Sequence, residues 1–124
     1  MFGSLVTAMP QLRNRRIRIL GITSASRFPA APQLPTLAES GLPGFEAVAW
    51  FAMLLPAGVP GTVVDKLHSE VTAYMGTVTM RRRFAAQGAD VTLSTPEALN
   101  RRIRAELEKW SQVIRSAGIA PQSR

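Results

Sequence analysis

The chain has 124 residues, 46% of them apolar, with one histidine, no cysteine and a formal net charge of +7. That is the size and composition of one ordinary globular domain rather than a disordered segment. Disulfides, thiolate metal sites and cysteine nucleophiles are excluded, and a single His68 all but removes His-based triads and multi-His metal centres.

The basic balance, with a pI near 11.5, draws anions without choosing among nucleic acid, anionic lipid and acidic small molecules. No apolar run is long enough to span a bilayer. The opening Met1-Phe2-Gly3-Ser4-Leu5 does not read as a signal peptide, because no basic stretch precedes a long apolar one.

Residues 4–12 read as a short helix that Ser4 can cap and that Pro10 should kink or end early. Residues 16–23 alternate and then turn wholly apolar, the pattern of a strand that is interior at its C-terminal end. Pro29, Pro32 and Pro35 make residues 24–35 an extended loop. One or two helical turns should follow over 36–40, stopped by Gly41. Residues 45–55 are rich in aromatic and β-favouring side chains and predict a long strand.

Pro60 suits a helix N-terminus, and Val64, Leu67, Val71 and Tyr74 or Met75 then line one helical face up to Gly76. Thr77 or Thr79 should cap a short helix through Gln87, with Gly88 at its end. Residues 90–93 read as a short strand. For the last helix, Ser94 and Glu97 have capping-box spacing, while Thr95-Pro96 fits N-cap and N1; both assignments stand at this level. Leu99, Ile103, Leu107, Trp110 and Ile114 form its apolar stripe. Arg102 with Glu106, and Arg104 with Glu108, have i,i+4 spacing, and Gly118 ends it. The order is α/β, with few strands for so many helical faces.

Three stretches, taken in order, resemble the substrate-binding receptors of tripartite tricarboxylate transporters, the Bug-type solute receptors. The first is Ile17 to Ser24, followed by Arg27, Pro35-Thr36, Glu39-Ser40-Gly41 and Pro43-Gly44-Phe45. The second is Trp50 to Pro60. The third is Arg83-Phe84-Ala85-Ala86-Gln87-Gly88-Ala89 with Thr95-Pro96-Glu97 after it.

The resemblance implies an α/β chain carrying a partial type II periplasmic-binding-protein fold, with parts of two lobes joined by a crossing strand. It assigns residues 1–48 to a remnant of the second lobe. Residues 49–124 become the C-terminal part of the first lobe, with its long terminal helix. It implies a receptor, not an enzyme, that binds a small organic carboxylate for uptake and hands it to a membrane permease. It also implies periplasmic residence for the full-length family, and a chain here that is truncated. Gly3 and Thr77 depart from the family pattern, and Arg81-Arg82-Arg83 is more basic than its usual mixture.

The candidate ligand-binding residues are Gly3, Ser4, Thr23, Ser24 and Trp50. Gly3-Ser4 opens a helix whose free amides and hydroxyl can hold a carboxylate, though an ordinary N-cap explains the same residues. Thr23-Ser24 sits at the C-terminal end of a predicted strand, where ligands gather in α/β folds; a solvated loop is the alternative. Trp50 offers a cleft wall, whereas Phe51 is assigned to core packing. His68 lies beside its helix's apolar stripe and receives no role.

No catalytic pair is visible. Glu106 and Glu108 point to different sides of a helix, Asp65 and Glu70 do not face one another, and Gly58, Gly61 and Gly76 lack phosphate-loop spacing. No metal or cofactor is expected. The arginine clusters 13/15/16/18, 81/82/83 and 101/102/104 leave a small basic nucleic-acid-binding protein as one alternative, disfavoured because no groove-reading motif accompanies them. A non-functional fragment is the other. The apolar faces of residues 45–55 and of the last helix predict an exposed patch and self-association.

Overall fold

The computed structural model describes residues 2–119. The chain divides into two compact units, the first ending at Val91 and the second starting at Thr92.

The first unit opens with α1, Leu5–Arg13. Ser4 caps it: its Oγ accepts from the Val6 amide at 3.1 Å, and its carbonyl takes the Ala8 amide at 3.0 Å. Pro10 neither ends the helix nor shortens it. It removes one amide donor mid-helix, but the helix closes three residues later. Asn14 is the C-cap, and Arg15 takes a left-handed φ of 54° where no glycine is available.

Past α1 the predicted strand 16–23 pairs only at Ile22, which bridges in parallel to Thr36. Its amide donates to the Pro35 carbonyl and its own carbonyl accepts from the Leu37 amide, both at 2.9 Å. Next along the chain, the Thr23 carbonyl accepts from the Ala47 amide at 2.9 Å. Residues 45–55 have no regular secondary structure and join no ladder among the described residues, and neither do residues 90–93. A strand is completed only by neighbours, and among the described residues these segments join no ladder beyond the Ile22–Thr36 bridge and the Thr23–Ala47 hydrogen bond.

The turn at 36–40 is a single helical turn built on a reciprocal cap. The Thr36 amide donates to the Glu39 carboxylate at 2.8 Å, and the Glu39 amide donates back to Thr36 Oγ1 at 3.1 Å. Gly41, at φ 110°, ends it. Then come α2, Gly61–Met75, and α3, Val78–Ala86. Thr77 joins them, donating its hydroxyl to the Tyr74 carbonyl and accepting from the Met80 amide. Arg81 clamps the far side, reaching the Gly76 carbonyl with Nε and the Val91 carbonyl with Nη1.

Gly88 follows α3 at φ 84° and lies directly against α1. A Cβ there would stand 2.8 Å from the Leu5 carbonyl oxygen and 2.9 Å from Met9 Cγ. The first unit's core is thin: Met9, Ala31, Leu34 and Val91, with Thr36 only 1% exposed.

The second unit is dominated by α4, Pro96–Ser116. Of the two start assignments the Thr95 one is realised: its Oγ1 accepts from the Ala98 amide at 3.2 Å, and Pro96 occupies the first turn. Trp110 Nε1 donates to Glu106 at 2.7 Å, and Lys109 Nζ sits 5.6 Å from the Trp110 ring centre. Leu107, Trp110 and Ile114, on the predicted stripe, are exposed. Among the described residues, no helix is long and apolar enough to cross a membrane.

The accessible surface is 10080 Å² for 13.5 kDa. Several large apolar side chains, Phe2, Leu20, Phe51, Met53 and Leu54, are exposed.

Candidate functional site

The predicted site residues all fall in the first unit. Ser4 spends its side-chain acceptor on the Val6 amide, while its carbonyl takes the Thr7 hydroxyl at 2.8 Å. Gly3 precedes it with open space around its α-carbon, so a side chain would fit there.

Thr23 and Ser24 are half-buried. Thr23 is tied through its carbonyl to Ala47, and Ser24 Oγ donates to the Ser26 carbonyl at 2.7 Å. The Ser24 hydroxyl proton is therefore committed to a local turn, while its oxygen can still accept. Trp50 lies half-buried three residues beyond Ala47. The hydrogen bonds of Ser4 stay within the first turn of α1, and α1 is seated instead against Gly88.

Phe51 overturns its assignment. It is 97% exposed rather than packed in a core, because the extended segment that carries it has no layer over it in this chain. His68 is half-buried on α2.

The loop that follows Ser24 is shaped by residues to which no role was assigned from the sequence. Arg27 Nε donates to both Glu39 carboxylate oxygens at 3.0 Å, and its Nη1 donates to the Pro32 carbonyl at 3.1 Å. Glu39 in turn holds the Thr36 amide, and Thr36 bridges to Ile22. The Glu39 carboxyl is held below its ordinary value, first by that backbone hydrogen bond and then by Arg27. Arg27, Thr36 and Glu39 belong to the first stretch that carries the family resemblance, and the structure gives them a bracing role. The Thr-x-x-Glu spacing at 36–39 was the readable signal.

One pocket of ≈ 200 Å³ is lined by Val6, Met9, Pro10, Ala86 and Gln87. It contains none of the predicted residues. It opens beside the C-terminal end of α3, whose carbonyl dipoles disfavour an anion, so it is a packing gap rather than a carboxylate site. No group of three or more metal-ligating side chains occurs among the described residues.

The chain resembles known proteins along most of its length. It is 32% identical over 115 residues to a protein of the tcbD–tcbE intergenic region in a Pseudomonas species, covering 92% of this chain and 34% of that one. Among solved structures, it superimposes on a protein of R. palustris with adipate at a TM-score of 0.85 and 36% identity, covering 94% of this chain and 39% of that one. On the periplasmic binding protein BugD the values are 0.80 and 32%, with 93% and 39% covered. On MatC from Rhodopseudomonas palustris with bound malate they are 0.72 and 31%, with 89% and 38% covered.

This chain thus carries part of the periplasmic-binding-protein fold, and spans a little over a third of the length of the proteins it matches. The family model described as "tripartite tricarboxylate transporter family receptor" matches residues 1–119, and the chain belongs to that family of solute-binding receptors.

Proposed function

We propose that the chain contributes part of the ligand cleft of a periplasmic receptor for a small organic dicarboxylate, which it delivers to a membrane permease for uptake. The observation that carries this reading is the superposition on an adipate-bound relative over 94% of the chain at a TM-score of 0.85. The malate-bound relative supports the same ligand class.

In this reading the first-turn amides of α1 at Gly3-Ser4 face one carboxylate, where amide dipoles favour negative charge. The Thr23 and Ser24 oxygens bind the solute's polar edge, and Trp50 forms an apolar wall. Residues 1–48 belong to the second lobe and residues 49–124 to the first, so the cleft closes as the lobes approach. The net charge of +7 favours capture of an anion.

The test is a thermal-shift series on the purified chain with adipate, malate, acetate and a short DNA duplex. A ligand that binds only the folded state raises the Tm, by the equivalent of about 2.7 kcal/mol at a hundred times Kd. The proposal expects a shift with adipate or malate that is absent with acetate. A shift with DNA alone would replace the receptor reading with a nucleic-acid one.

A further inference from the structure

We propose that Arg27 and Glu39 are positioning residues for the solute, clasping the loop at 23–35 in the geometry that presents the Thr23 and Ser24 oxygens. The inference rests on the receptor reading above, and adds to it two residues that touch no solute in that reading.

The loop is closed at its base. The Ile22 amide donates to the Pro35 carbonyl, the Leu37 amide donates to the Ile22 carbonyl, and Ile22 bridges to Thr36. Thr23 and Ser24 are the first two residues past that bridge, and the chain then carries no helix or ladder until it returns at Thr36. Its interior is filled from within. The Ala31 amide donates to the Phe28 carbonyl, the Leu34 amide donates to the Ala31 carbonyl, and the Ala31 and Leu34 side chains are buried. This is the build of a compact Ω-loop, with ends that meet and side chains that pack on one another.

Arg27 ties the limbs of this loop together. Its Nη1 reaches the returning limb at the Pro32 carbonyl, and its Nε reaches both oxygens of Glu39, which holds the Thr36 amide at the base. Ser24 Oγ donates to the Ser26 carbonyl, and that carbonyl belongs to the peptide group that leads into Arg27. The orientation of the site hydroxyl and the anchoring of the guanidinium therefore share one peptide plane. Both partners of the ion pair are about half exposed, and such a pair contributes little to global stability. Its effect is local: a loop already held in its binding geometry has less freedom to lose when the solute arrives.

Two conservative variants separate this role from charge and from capping. Arg27→Lys keeps the net charge of +7, and with it the long-range attraction of an anion, but replaces the planar fork with a single ammonium. Glu39→Gln keeps an acceptor for the Thr36 amide but removes the charge that Arg27 faces. The full chain and its variants are titrated with adipate by calorimetry, and followed by thermal melting and amide hydrogen exchange. Each variant should melt within about 4 °C of the native chain. Exchange at the Ala31 and Leu34 amides should quicken while the α2 amides stay unchanged. The adipate Kd should rise about 10-fold, as when the competent loop falls to about a tenth of the population. The double variant should bind no worse than either single, because both break the same clasp.

Native affinity in Arg27→Lys would overturn the proposal, as would losses that add in the double variant, or unchanged exchange at Ala31 and Leu34. A larger fall in Tm would make the pair merely structural and overturn it as well. No adipate binding by the native chain would overturn the receptor reading instead, and the exchange rates then judge the clasp by themselves.

Discussion

Gly88 offers a substitution whose cost can be worked out from local geometry and checked against an internal control. Gly88 and Gly58 have nearly the same backbone, at φ 84° and φ 85°. An alanine at either position meets the left-handed strain of an L-residue, about 1–2 kcal/mol, and the same small gain from a stiffer unfolded chain. Only their surroundings differ. Nothing lies within 4 Å of a Cβ at Gly58, whereas at Gly88 it would stand 2.8 Å from the Leu5 carbonyl oxygen.

That oxygen is backbone inside α1's first turn and cannot rotate away, so α1 must shift. Forced overpacking of this kind costs about 1–3 kcal/mol. Gly88→Ala should therefore destabilise by about 1–4.5 kcal/mol, and by about 1–3 kcal/mol more than Gly58→Ala. Urea titration followed by circular dichroism measures the difference, and hydrogen exchange at the α1 amides locates it. Equal stability of the two variants within about 0.5 kcal/mol, or unchanged α1 protection in Gly88→Ala, would refute the α1–Gly88 contact as described.

Other expectations follow from single contacts. Glu39 is held below its ordinary pKa by the Thr36 amide and Arg27. Its stabilising contribution is therefore complete above the unfolded value of about 4.3 and disappears as pH falls through the lower folded value; Glu39→Gln should flatten the acid limb of a pH–stability curve. Thr36→Val removes an acceptor that caps the Glu39 amide and should cost about 1–2 kcal/mol in the same titration. Thr95→Ala removes the cap of α4 and should cost about 1 kcal/mol, read as lost helicity on mild heating. The exposed apolar side chains predict strong binding of a fluorescent apolar dye and self-association by light scattering; a monomer without dye binding would count against the surface described.

The helices were legible because their information is local. Ser4, Thr77 and Thr95 each supply a hydroxyl to a first-turn amide, and Gly41, Gly88 and Gly118 take the left-handed conformation at helix or turn ends. The choice between Ser94 and Thr95 was open in the sequence because both patterns satisfy the same orphan amides. Pro10 does not end α1 early, because one missing mid-helix bond does not outweigh the rest of the helix.

The strands were read from composition, but pairing is not local. Residues 17–21 and 45–55 have strand chemistry without ladder partners, and Phe51 has core chemistry without a core. Of the candidate site, Thr23 is tied to the segment at 45–55 by one hydrogen bond to Ala47, which no sequence pattern encodes. The bracing of the adjoining loop by Arg27 and Glu39 was visible only as spacing.

Whether this chain carries carboxylate-binding residues of a solute receptor can be read residue by residue. An amide-resolved NMR titration of the labelled chain with adipate tests it most directly. Carboxylate binding in the proposed cleft predicts saturable shifts at the Gly3 and Ser4 amides, at Thr23 and Ser24, and at the Trp50 indole, with the α4 amides unmoved. Shifts confined to the arginine clusters at 81–83 and 101–104, or no saturable shift at the five predicted residues, would contradict it.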